Sequence, residues 1–265
     1  AEATLHPATG IFDPLATNPT VILFVNSGDV TIKGLTFNGN NPNLGSGYNV
    51  NGEDVNASGA IAGYQGVGNI TIQNNIIKNI TYAGIDFDNY YNSLNSTIGN
   101  LIQFNKFENI SYTFWGIGVV VYNNFYVDIS HNVLNNVRVG IQTGNYHKAI
   151  LSGGVAKIEN NTLNANRLGI FYNLHYTNAS PFSIKNNTIT IVNGGAKSAG
   201  LLVSSQQTVV SADIENNTIR NAVIGVNYWN CTTTGDLTFE GGRIENCSYG
   251  FQVDNYDGYN SNGGS

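Results

Sequence analysis

Asp86 and Asp88 are the two carboxylates whose spacing most readily suggests chemistry. They sit two apart in Gly84-Ile85-Asp86-Phe87-Asp88, where apolar and polar residues alternate as in a half-buried strand. Alternation sends Ile85 and Phe87 inward and both carboxylates outward, roughly 7 Å apart at about 3.4 Å of rise per residue. A pair so spaced could serve as the acid and base of an inverting glycosidase or hold a hard cation such as Ca²⁺. A solvated pair on a polar face would look the same. The equivalent outward positions in neighbouring repeats, Gly118, Val120 and Leu202, add no third ligand, so no metal or other cofactor is expected beyond what this pair could hold.

A second group is cationic. Arg138 and Arg167 each stand two residues before a glycine, Gly140 and Gly169, and His147 and Lys148 follow the first of those runs. Two guanidiniums in line could grip an acidic sugar, with His147 or Lys148 as the base of a lyase; charges at a surface corner are the plainer alternative. Aromatic residues crowd the same stretch of successive repeats: Tyr90, Tyr91, Tyr122, Tyr146, Tyr176 and Trp229. Such rings pack on sugars and also on neighbouring protein subunits.

What must position these residues is a repeat. Ile158-Glu-Asn-Asn-Thr-Leu and Ile214-Glu-Asn-Asn-Thr-Ile are near copies, and related segments begin at Ile32, Ile72, Ile102, Ile129, Ile184 and Phe239. The spacings of these eight anchors, 40, 30, 27, 29, 26, 30 and 25 residues, with short β-type runs and no long amphipathic helix between them, predict a solenoid. Each repeat holds an anchor strand of the type Thr-Ile-x-x-Asn and a strand led by glycine, as in Gly140-Ile141-Gln142-Thr143. The glycines suit corners that need positive φ. Three residues after six of the anchors come Asn75, Asn105, Asn132, Asn161, Asn187 and Asn217. Coils stacked about 4.8 Å apart would bring these amides into one internal column, each able to donate to the next and accept from the backbone.

The Asn-Asn-x-Ile…Gly-Ile-x-x pattern resembles the right-handed parallel β-helix of the pectate-lyase-like superfamily, over about Val21 to Val253. That resemblance implies an all-β solenoid of about eight coils with an internal Asn ladder. It also implies that an active groove, where a member has one, crosses one parallel sheet and its flanking loops. The aspartate-rich signature of polygalacturonase-type hydrolases and the Asp-Pro-His-Asp type motif of alginate epimerases are both absent. Many functions share this fold, so function has to be argued from particular residues.

Composition narrows the classes. The 265 residues carry a formal net charge of −6, only 11% are charged, and 43 are Asn. No basic stripe exists to release phosphate counterions, which argues against nucleic acid, and no apolar run reaches the ~20 residues of a membrane span. The chain contains no Met, which fits a removed signal peptide, a piece of a longer protein, or a lost initiator. Residues 1–20, with three prolines, are expected to form an arm or partial cap, residues 21–253 the β-helix, and residues 254–265 a flexible tail; residues 40–60 are expected to be the main loop. Asn56, Asn95 and Asn178 lie in sequons within loop-like stretches and are the expected glycan acceptors. Cys231 and Cys247 are expected to pair. These features together favour an extracellular or cell-surface structural protein that self-assembles head to tail, or an adhesive module, over an enzyme. The alternative kept open is a polysaccharide lyase or glycoside hydrolase acting on an acidic polysaccharide.

Overall fold

A computed structural model describes residues 3–8, 20–44, 47–64, 68–88, 99–111, 115–122, 126–145, 156–174, 182–205, 212–229 and 237–254. The fold is all-β. A coil consists of three short strands, for example Thr71–Gln73, Ile76–Ile80 and Ala83–Asp88, and each strand pairs in parallel with its counterpart one coil away. The anchor strands form an eight-stranded sheet. The middle and glycine-led strands form a sixteen-stranded sheet, because Val133–Asn145 and Thr162–Leu174 run unbroken through both columns. The chain is a parallel β-helix.

All eight anchors lie in register, Ile32 opposite Ile72, then Ile102, Ile129, Ile158, Ile184, Ile214 and Phe239. The β-branched anchors from Ile32 to Ile214 are buried, and they share the interior with a second column, Phe37 to Ile219, and a third, Ile61 to Val226. Stacking like on like lets each apolar side chain lie against its equivalent at one coil spacing. The regular part comes to about six turns rather than eight. Only the corners from Asn75 to Asn217 carry the ladder residue; the coils around Ile32 and Phe239 have Leu35 and Gly242 in its place.

The corner between anchor and middle strands is always two residues long: 34–35, 74–75, 104–105 and so on to 241–242. The second residue is the interior amide. Asn161 shows the pattern: its Nδ2 donates to Ile129 O (2.8 Å) and Asn187 Oδ1 (3.0 Å), while its Oδ1 accepts from Asn132 N (3.0 Å) and Asn132 Nδ2 (3.1 Å). The same donor direction runs unbroken from Asn75 to Asn217.

The first residue of the pair explains why two asparagines stand together. Asn74, Asn160, Asn186 and Asn216 have φ of 54° to 57°. Positive φ at these corners therefore falls to asparagine, which tolerates the left-handed region better than most side chains. The expectation that the strand-leading glycines supply it is corrected. Gly84, Gly140, Gly169 and Gly225 are glycine because coils approach too closely there: a Cβ on Gly140 would lie 2.4 Å from Gly169 O. Asn186→Ala should cost about 1 kcal/mol, and Asn186→Gly close to nothing, in urea unfolding; equal losses for the two would contradict the backbone account.

A second amide ladder runs along the bend between middle and glycine-led strands. Asn79 Nδ2 donates to Asn38 Oδ1 (2.8 Å), Asn109 to Asn79 (2.8 Å), Asn136 to Asn109 (3.1 Å) and Asn166 to Asn136 (3.3 Å). Residues 40–60 are not one open loop. Tyr48–Val50 and Glu53–Val55 form an antiparallel hairpin closed by Asn51-Gly52, and Asn51 Nδ2 ties it to this outer ladder at Asn109 Oδ1 (2.6 Å). At the start of the chain, Thr4–Leu5 pairs with Thr36–Phe37 and Val21–Phe24 pairs with the strand Gly59–Tyr64, so residues 3–8 and 20–24 already belong to the helix. No helix among the described residues is long and apolar enough to cross a membrane.

Candidate functional site

The outer face of the glycine-led column is where the carboxylates and aromatics were expected to gather. Register aligns Ala62, Asp86, Val120, Gln142, Phe171, Leu202, Asn227 and Gln252 in one row. A parallel row holds Ala83, Ile117, Val139, Leu168, Ala199 and Ile224. This face is no open groove: both rows contribute to a second apolar cluster, with Tyr82, Val223 and Trp229 packed against it.

Each expected residue can be placed. Asp86 does point away from the core, but it is 7% exposed, between Ala62 and Val120, and is not the solvated carboxylate the alternation suggested. Alternation says which face a residue takes and nothing of what lies over that face. Asp88 aligns with Tyr64 and Tyr122. Among the described residues no group of three His, Cys, Asp or Glu side chains could hold a metal ion. Arg138 and Arg167 lie half-buried on adjacent strands where the register shifts. Tyr122 is buried, its hydroxyl 2.5 Å from Gln142 Nε2, so it presents no ring to a ligand; Trp229 is half-buried. His147, Lys148, Tyr90, Tyr91, Tyr146, Tyr176, Asn95, Asn178 and Cys231 lie outside the described residues.

Two further expectations concern Asn56 and Cys247. Asn56 cannot accept a glycan in the folded chain: it is fully buried and its Oδ1 takes a hydrogen bond from Asn41 N (3.0 Å). Cys247 is a free cysteine, half-buried at the edge of the core, with Sγ 3.4 Å from Glu245 O, and its expected partner Cys231 lies outside the described residues.

Among the described residues, Lys106 pairs with Glu108 on one middle strand, and further ion pairs lie near the last coils. Lys185 Nζ sits 2.8 Å from Glu215 and 3.4 Å from Asp213, and its pKa is raised, chiefly by the Glu215 hydrogen bond. Glu245 has its pKa lowered, chiefly by the hydrogen bond from Arg220 Nε at 2.6 Å. Both are neighbouring-coil rungs on the outer surface; they clamp coils and do not converge on a cleft.

Among the described residues, four of the seven exposed large apolar side chains lie at the ends. Phe24 is on the first strand of the glycine-led column, and Tyr249, Phe251 and Val253 are on the last. Phe251 continues the core column of Ile61, Ile85, Val119, Ile141, Ile170, Leu201 and Val226, each essentially inaccessible, yet it is 51% exposed itself. Val253, in the column of Phe87 and Val203, is 77% exposed. Phe239 meets the Phe251 ring edge-on at 4.7 Å. The glycine row tells the same story. A Cβ on Gly84, Gly118, Gly140, Gly169, Gly200 or Gly225 would lie 2.4–2.9 Å from the carbonyl oxygen of the next glycine, whereas Gly250 has nothing within 4 Å.

No family model matches the chain, and no curated protein does. Among solved structures, the chain is similar to the Streptococcus pneumoniae surface protein and adhesin PfbA. The superposition has a TM-score of 0.48 and 13% identity, and covers 95% of this chain and 85% of that one.

Proposed function

We propose that this chain is a structural subunit of an extracellular filament, sheath or surface layer, whose coils continue from one copy into the next. The observation that carries this reading is the open core column at Phe251 and Val253 beside an uncrowded Gly250. The other end of the molecule matches it. Through the continuous register, Val21 occupies the row of Tyr249, Leu23 the row of Phe251, and Leu5 the row of Ile244. Val21–Phe24 is an apolar edge strand with no charge to blunt it, the kind that pairs with another chain. Its neighbour would gain strand hydrogen bonds and bury the bared rings together. A contact between unlike ends does not close, so it gives a linear polymer.

This reading is favoured over polysaccharide cleavage because the column that would carry catalysis is covered and apolar around Asp86. The test is mass by light scattering against concentration, with electron microscopy of the same samples. The parent chain should form regular rods. Val253→Asp should stay monomeric with an unchanged melt, since that side chain is exposed in the single molecule. A parent that remains monomeric at high concentration would overturn the assignment.

A further inference from the structure

We propose that the outer corner formed by Asn74, Phe104, His131 and Asn160 binds a neutral saccharide. These four hold the first position of the two-residue corner in four successive coils. All four have positive φ, from 54° to 58°. Among the described residues, every other non-glycine with positive φ is Asn or Asp. Phe104 alone is a bulky residue in that region, where such side chains are strained outliers. Burial does not account for it: the ring is 52% exposed on the outside of the helix, and its aromatic partner His131 is exposed too. Strain retained at an exposed position points to use.

The surroundings say what kind of use. Phe104 and His131 stack on each other, centroids 4.8 Å apart and planes 21° apart. One coil beyond each ring stands an exposed asparagine, Asn74 on one side and Asn160 on the other, whose side-chain amides make no hydrogen bond among the described residues. Next to the rings, the row on the anchor strands runs Gln73, Gln103 and Ser130, linked Gln73 Nε2 to Gln103 Oε1 (3.1 Å) and Gln103 Nε2 to Ser130 Oγ (3.1 Å); Ser130 is buried, and its hydroxyl donates to Asp128 Oδ1 (2.6 Å). The corner thus offers aromatic surface bordered by the side-chain amides of Gln73, Asn74, Gln103 and Asn160, which suits the apolar and hydroxyl faces of a sugar ring, while the nearby charges are paired or bonded, Lys106 to Glu108 and Asp128 to Ser130. A peptide adding a strand is not served. The backbone N–H groups of Asn74, Phe104, His131 and Asn160 already donate to Gln103, Ser130, Glu159 and Lys185 carbonyls. This site is on the opposite side of the anchor strands from the covered glycine-led face, and it is available whether or not copies stack end to end.

The test uses the full chain in native affinity electrophoresis, in gels cast with a neutral β-glucan, xylan or galactomannan, and with polygalacturonate as the charged comparison. The parent should be retarded by at least one neutral polysaccharide. Phe104→Asn installs the residue used at most other such corners. It should weaken that retardation about tenfold while melting no lower than the parent. His131→Asn should weaken it as well. No retardation in any neutral gel, retardation by polygalacturonate alone, or a Phe104→Asn chain that is retarded like the parent would each overturn the site. So would a Phe104→Asn chain that melts lower, because the ring would then be serving the fold.

Discussion

Asn161→Leu should lower the melting temperature by about 10 °C. The replacement is similar in size and apolar, so a purely hydrophobic account would expect little change. The hydrogen bonds say otherwise. Without the Asn161 amide, the Asn132 backbone N–H loses its acceptor and the Ile129 carbonyl loses its donor, both in the buried interior. Each orphaned group costs about 1–3 kcal/mol, and a chain of this size shifts by roughly 2–4 °C per kcal/mol. Asn166→Ala is the control. It removes a 3.3 Å bond from the solvent-side ladder and should stay within about 0.5 kcal/mol of the parent. Circular dichroism melts that place Asn161→Leu beside Asn166→Ala would remove the ladder as a source of stability.

Gly140→Ala should be comparably severe, for a different reason. The added methyl would lie 2.4 Å from Gly169 O and 3.2 Å from Leu163 Cδ2, and the nearer atom is backbone within a paired strand. Relief requires prising two coils apart, at a cost of about 1–3 kcal/mol or more. Gly250→Ala separates folding from assembly. It has space in the single molecule, so its melt should match the parent. If copies stack as proposed, its methyl would meet the first glycine-column strand of the next copy and rods should fail to form. Rods that persist in Gly250→Ala would mean that the ends do not continue the coil.

The interior was legible because its residues recur at matching points of each coil. Ile anchors and the second asparagine of each pair keep a fixed offset of three, so alignment of the repeats exposes them. The outer ladder escaped because its offset drifts: Asn79, Asn109 and Asn136 come seven residues after their anchors, Asn166 eight and Asn38 six. The strand-leading glycines are plain in the sequence, but their reason is not. Glycine answers two needs, positive φ and close approach, and a sequence does not say which one applies until neighbouring coils are in place. Asp86 illustrates a third kind of gap. Period-two alternation fixed its direction, while its burial depends on long-range packing that no local pattern encodes.

The invariant two-residue corner has a further consequence, for how such a molecule can change. Every connection from anchor to middle strand is locked at two residues, whereas those from glycine-led to anchor strand range from residues 123–126 to residues 89–99. Lengthening a connection that already returns to a fixed strand costs little entropy, about 0.6 kcal/mol per doubling. Insertions at that seam, like the hairpin at 40–60 between a middle and a glycine-led strand, leave the amide rungs and apolar columns in phase. The helix is therefore a rail whose other two edges can be rewritten coil by coil, and foreign segments grafted at 89–99 should be tolerated where a single residue added between Asn160 and Asn161 would not.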